Sequence, residues 1–178
     1  MPLTCRIAQD ADLTAMREIM RLAIDELQAG FLSPQEIEAS HAVMGLDTQL
    51  VRDGTYFVIE ADGEIAGCGG WSRRATLYGG DHSLELREPR LLDPAHDAAR
   101  VRAMYTHPAF TRRGVGRLIL DEAEKAAAAE GFRRVELMAT LSGEPLYRAC
   151  GYREIERTAA DVGGIKVPLI LMGKDLPG

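Results

Sequence analysis

Apolar and polar positions along the 178 residues follow two alternating periods, one of strands and one of helices. Val101, Ala103 and Tyr105 alternate with Arg102 and Met104, which predicts a strand ending at His107-Pro108. From Gly114 the spacing turns helical, with Val115, Leu118, Ile119, Ala123 and Ala126 on one side and a stop at Gly131. Arg134 to Ala139 reads as a further strand, and a strand, helix, strand order of this length implies a right-handed crossover with parallel pairing.

Upstream, Leu3 to Ile7 predicts a short strand, and Asp10 offers an N-cap to a helix that carries Leu13, Met16, Ile19, Met20, Ala23, Ile24 and Leu27 until Gly30. Ser33-Pro34-Gln35-Glu36 has the form of a capping box with proline in the first turn, restarting a helix with Ile37, Val43, Met44 and Leu50 inward. Tyr56 to Ala61 and Glu64 to Trp71 flank Asp62-Gly63, a strong hairpin signal. Gly67, Gly69 and Gly70 weaken the second of these strands unless something packs closely against it.

Between residues 72 and 97, Gly79-Gly80, Glu88-Pro89 and Asp93-Pro94 break every period. Two readings stay open: an irregular excursion that covers a functional site, or a disordered surface loop. Ser142 to Tyr152 predicts a short helix closed by Gly151, followed by strands near Arg153 to Arg157 and Ile165 to Gly173 with a loop at 157–166 between them. These elements predict a mixed α/β fold. The expectation is a central, partly parallel sheet of about six to seven strands flanked by helices, in a single domain spanning 1–178.

Composition adds exclusions. The chain is 46% hydrophobic and 27% charged, as ordinary globular proteins are. Its three cysteines are far apart and its four histidines lack metal-ligand spacing, so no disulfide framework and no metal are expected, and the cysteines should be small buried residues. A net charge of −6 argues against a nucleic-acid partner. No apolar run approaches the roughly 18 residues of a membrane span and no leader pattern opens the chain, so no membrane and a cytoplasmic location are expected.

The charge is unevenly spread. Arg100, Arg102, Arg112, Arg113 and Arg117 fall between Ala98 and Leu120 with no Asp or Glu among them, a pattern that fits a small anionic ligand gripped locally. The acidic remainder would favour a cationic or amine-bearing second substrate. Within that segment, Thr111-Arg112-Arg113-Gly114-Val115-Gly116 brings two glycines and two arginines to the start of a helix, where unpaired N–H groups and the helix dipole suit a pyrophosphate. Ile119 stands where a dinucleotide-binding loop needs its third glycine, and no Gly-Lys-Ser/Thr follows. A loop that merely turns the chain is the competing reading.

The segment resembles motif A of the GNAT N-acetyltransferase superfamily, Arg/Gln-x-x-Gly-x-Gly/Ala, except that Thr111 takes the Arg/Gln position. Leu146-Tyr147-x-x-x-Gly151-Tyr152 independently resembles motif B of the same superfamily. The resemblance implies transfer of an acetyl group from acetyl-coenzyme A to a primary amine by direct attack in a ternary complex. It implies that Arg112, Arg113, Gly114, Val115, Gly116 and Arg117 hold the pyrophosphate, that Met104, Tyr105 and Thr106 hold the pantetheine arm, and that Thr140 adds a weaker contact.

By the same resemblance Tyr147 is the catalytic proton donor to the leaving thiolate, whereas a ring packed in the core is the alternative for it and the default for Tyr152. Phe31 and Leu32 would help wall the acceptor pocket. Glu60, Glu136, His107 and Asp81 are candidate bases, with a bound water as the substitute. Expected partners are acetyl-coenzyme A and an amine-bearing small molecule or peptide, with a homodimer left open. A longer-chain acyltransferase and a non-catalytic coenzyme-binding or sensing module are the rival functions.

Overall fold

The computed structural model describes residues 2–177. Its centre is a seven-stranded sheet in the order β1-β2-β3-β4-β5-β7-β6. The strands are β1 (Thr4–Ile7), β2 (Tyr56–Ala61), β3 (Glu64–Ser72), β4 (Ala99–Thr106), β5 (Arg134–Ala139), β6 (Arg153–Val162) and β7 (Ile165–Asp175). Only β4 and β5 pair in parallel; the other neighbours are antiparallel. The helices are α1 (Leu13–Leu22), α2 (Pro34–Ser40), α3 (Thr48–Asp53), α4 (Val115–Ala129) and α5 (Glu144–Ala149). Among the described residues no helix is long and apolar enough to cross a membrane.

Local chemistry accounts for the joints. Asp62 and Gly63 both have positive φ, 56° and 78°, which gives the tight turn between β2 and β3. Strand β2 is buried on both faces: Ile59 and Ala61 meet Val115 and Ile119 of α4, while Tyr56 and Val58 meet Met16 and Ile19 of α1. Helix α4 returns the chain from β4 to β5 as the crossover, and its Leu120, Ala123 and Ala127 pack with Val101, Val135 and Leu137. The glycines of β3 are explained by close approach. A β-carbon on Gly69 would lie 2.5 Å from Met104 Cγ and 2.7 Å from Ile119 Cγ2, and one on Gly70 would overlap the Thr55 carbonyl oxygen.

Several expectations are corrected. Helix entry at the N-terminus is governed by Asp12 rather than Asp10: the Asp12 carboxylate accepts the Gln9 N–H at 2.8 Å, and a 3-10 turn over Asp10–Asp12 leads into α1. The helix then widens to a π turn over Ala23–Leu27. Ser33 does form its capping box, but α2 stops at Ser40 instead of running on to Leu50. The break is imposed from afar, because the Tyr105 hydroxyl takes the Gly45 N–H at 2.8 Å and donates to the Gly45 carbonyl at 3.0 Å. Asp47 then caps α3 by accepting the Gln49 N–H at 2.9 Å.

Most of the expected 157–166 loop is strand, since Thr158 to Val162 pair with Ile165 to Leu169 around a Gly163-Gly164 turn. The 72–97 segment is an irregular excursion, tied by the Arg74–Leu91 bridge and by Arg102, which donates to the Gly79 carbonyl at 2.7 Å. Of the three free cysteines only Cys68 is fully buried, and Cys5 and Cys150 are partly exposed.

Candidate active site

Strands β4 and β5 share only the pairs Ala99–Val135 and Arg100–Glu136; beyond these they part. From there β4 stays bonded to β3 and β5 to β7, which leaves a wedge between them. A bulge at Ala103, φ 50°, lies opposite the register shift at Gly69 and aims the next residues of β4 into the wedge. Tyr56 fixes this bulge by donating its hydroxyl proton to the Ala103 carbonyl at 2.9 Å. The wedge opens on one side into a cleft of about 730 Å³ that reaches the start of α4. On the other side lies a smaller cavity of about 80 Å³, which shares Met104, Thr140 and Tyr147 with the cleft.

The α4 end of the cleft has the chemistry that suits an anion. Gly114 sits at φ 87°, a conformation suited to glycine, and a β-carbon there would meet nothing within 4 Å. No side chain caps α4, whereas Ser33 caps α2 and Asp47 caps α3. Its first helical bond runs from the Leu118 N–H to the Gly114 carbonyl at 3.0 Å, so the N–H groups of Val115, Gly116 and Arg117 stand before the ladder begins. Arg112 and Arg117 line the cleft here; Arg113 does not. Its guanidinium lies 5.3 Å over the Phe110 ring and 3.7 Å from Asp62. Arg100 and Arg102 are also withdrawn, to Glu136 at 2.9 Å and to Asp47 at 3.1 Å, so the expected group of five arginines comes down to two at the cleft.

Met104, Tyr105, Thr106, Gly114, Val115, Gly116, Thr140 and Tyr147 all line the same cleft. Helix α5, with Pro145 in its first turn, presents Tyr147 to the wedge, where its hydroxyl lies 3.8 Å from Met104 Sδ. Burial raises the phenol to about 12. Tyr105 and Tyr152 are raised by burial too, but their hydroxyls are bound, the first to Gly45 and the second to Glu124 at 2.9 Å. Thr140 Oγ1 accepts the Gly143 N–H at 3.2 Å and so serves the turn into α5.

A family model described as "Acetyltransferase (GNAT) family" matches residues 16–152, which spans the wedge, the uncapped helix and Tyr147. The chain belongs to the GNAT acetyltransferase family. GNAT structures share its fold over nearly the whole length. A GCN5-related N-acetyltransferase from Rhodopseudomonas palustris is 20% identical with a TM-score of 0.73, covering 99% of this chain and 97% of its own. The PaiA N-acetyltransferase of Thermoplasma acidophilum, solved in complex with coenzyme A, is 17% identical with a TM-score of 0.65 over 98% and 99%. YncA from Salmonella typhimurium, described as a putative acetyltransferase with its cofactor acetyl-CoA, is 19% identical with a TM-score of 0.63 over 99% and 95%. No curated protein matches the chain significantly.

None of the four candidate bases reaches the GNAT wedge. Glu60 pairs with Arg6 at 2.9 Å, and Glu136 with Arg100 and Arg134. His107 Nδ1 accepts the Ala109 N–H at 3.0 Å, and Asp81 accepts the Thr48 N–H at 3.0 Å. Among the described residues no carboxylate or imidazole lines either the cleft or the small cavity, and no group of three His, Cys, Asp or Glu is placed to hold a metal ion.

The far wall of the cleft contains Phe31, from the expected region, Leu27 and Met44, which the sequence placed on apolar helix faces, and Gln28, which it did not single out. Gln28 is 2% exposed; its Nε2 donates to Ser40 Oγ at 3.0 Å and to the Ile24 carbonyl at 3.3 Å, which fixes the amide's orientation. Its Oε1 is the one buried side-chain oxygen or nitrogen among the described residues without a partner. The available signal was its spacing, four residues after Ile24 on the apolar side of the first helix.

Proposed function

We propose that the protein transfers the acetyl group of acetyl-coenzyme A to a primary amine by direct attack within a ternary complex. The observation that carries this reading is the continuity of one cleft from the uncapped, arginine-flanked start of α4 to the wedge where Tyr147 meets Met104. An elongated thioester with an anionic end fits such a cleft, and its volume is within the usual ligand range of about 300–1,000 Å³.

The N–H groups of Val115, Gly116 and Arg117, with the Arg112 and Arg117 guanidiniums, would bind the pyrophosphate. The β4 edge at Met104, Tyr105 and Thr106, which faces no strand across the wedge, would pair with the pantetheine arm and direct a main-chain N–H toward the carbonyl oxygen as charge develops there. Acetyl-coenzyme A supplies the activated acyl group. Tyr147, neutral and held above the usual phenol range, would donate its proton to the departing sulfur. With no carboxylate or imidazole in the wall, the amine would enter uncharged or release its proton to water.

Calorimetry with acetyl-coenzyme A, followed by thiol release in the presence of primary amines, tests the reading. Binding together with amine-dependent thiol release is expected. Binding without turnover on any amine would favour the coenzyme-sensing module, and preference for a longer acyl-coenzyme A would move the assignment within the enzymes.

A further inference from the structure

The small cavity behind the wedge contains a charge that acetyl transfer does not itself require. Arg102 of β4 is in its wall and is 3% exposed. Its Nη1 lies 3.1 Å from Asp47 Oδ2 and 3.3 Å from the Thr76 carbonyl, and its Nη2 donates to the Gly79 carbonyl at 2.7 Å. The same Asp47 oxygen takes Arg87 Nη1 at 2.8 Å. One carboxylate therefore faces two guanidiniums, and the cluster keeps a net positive charge.

Burial is costly for that charge. Desolvation pulls Arg102 below the usual guanidinium range and Arg87 adds to the effect, against the opposing pull of Asp47. No acidic residue among those described lines the cavity to complete the neutralisation. Tyr78 lines the same cavity and brings a phenol that can donate a hydrogen bond. A buried cation on the wall of a cavity lined by no acidic side chain is a site for an anion. The space, about 80 Å³, is several times the roughly 10–15 Å³ that one water needs, enough for a carboxylate on a short carbon stem.

We propose that this cavity takes the carboxylate of the acyl acceptor, so that the acceptor is a small amine bearing a carboxylate, an amino acid or a close analogue, rather than a polyamine or a basic peptide. The proposal rests on the acetyltransferase reading. Met104 and Tyr147 line both the cavity and the cleft, so an acceptor anchored at Arg102 has its amine facing the place where the thioester would lie. The nucleophilic nitrogen forms the new amide bond, the carbon–sulfur bond breaks, Tyr147 protonates the sulfur, and the proton that the nitrogen releases to water is balanced by the one Tyr147 takes back from it.

The test compares amino acids with their decarboxylated counterparts, glycine with methylamine, alanine with ethylamine and methionine with 3-methylthiopropylamine, and adds spermidine and a dilysine peptide. The full chain is assayed at saturating acetyl-coenzyme A, with coenzyme binding measured separately. A kcat/KM at least about tenfold higher for the carboxylate-bearing member of a pair is expected. Arg102→Met should erase that preference. Because Arg102 also ties residues 76 and 79 to β4, Tyr78→Phe is the second variant, expected to raise KM for the amino acid several-fold more than it lowers kcat. Equal or better turnover of the decarboxylated amines, spermidine or the peptide would overturn the proposal and leave acetyl transfer standing. Coenzyme binding with no turnover on any compound would overturn the acetyl-transfer reading and the proposal with it.

Discussion

Tyr147 and Tyr152 are near neighbours in sequence and touch edge to face, 5.9 Å between ring centres, yet their hydroxyls live differently. The Tyr152 hydroxyl donates to Glu124, whereas that of Tyr147 has only the Met104 sulfur and opens on the cleft. Tyr147→Phe should lower kcat about 100-fold while acetyl-coenzyme A affinity, read by calorimetry, stays within about threefold. Tyr152→Phe should do the reverse, costing about 1 kcal/mol of stability in urea with turnover intact. Equal kcat in wild type and Tyr147→Phe would return Tyr147 to packing. Single residues were legible where a motif fixes local geometry, as at Gly114 and Tyr147. They were not where a distant partner decides: the charge of Arg100 reads as part of one ligand-binding group until Glu136, on β5, is seen to hold it.

At the scale of elements, α4 works through its bare first turn. Gly114→Ala and Gly114→Glu should share a strain of about 1–2 kcal/mol from the positive φ, seen as a lower melting temperature. Only Glu adds a negative charge where nothing stands within 4 Å, so it alone should reduce acetyl-coenzyme A affinity by about 100-fold or more. A similar loss in both variants would mean that backbone shape, not charge, sets binding. In β3, Gly70→Ala should destabilise by about 1–3 kcal/mol in urea, because the obstacle is the Thr55 and Tyr56 backbone and cannot swing aside. The hairpin at Asp62-Gly63 and the crossover through α4 were legible because turn chemistry and periodicity are local. The end of α2 was not, since a hydroxyl from β4 sets it, and the length of β6 was not, since polar residues there pair with β7 without burying a face.

For the whole molecule, the alkaline side of the stability profile is set by buried phenols. Tyr56, Tyr105, Tyr147 and Tyr152 are all raised above 10, chiefly by burial. Below about pH 10 both folded and unfolded chains keep these protons; above it the unfolded chain loses them first, so stability falls as pH rises. The urea midpoint should hold from pH 7 to about 9 and drop beyond about 10, with most phenolate absorbance appearing together with unfolding. A flat midpoint to pH 11.5 would contradict this. The −6 of the chain is spread over a solvated, screened surface, while the cavity wall holds a desolvated guanidinium. One further consequence is mechanical. The sheet is stitched across β4 and β5 by two rungs at one end of a gap, with the Arg100–Glu136 ion pair fastening the second. A load prising the two leaves apart falls on that short seam, and an elongated guest lying along the gap would brace it like a strut. The acyl carrier would then be a reactant and a temporary structural member at once, and the molecule would soften and stiffen with every turnover.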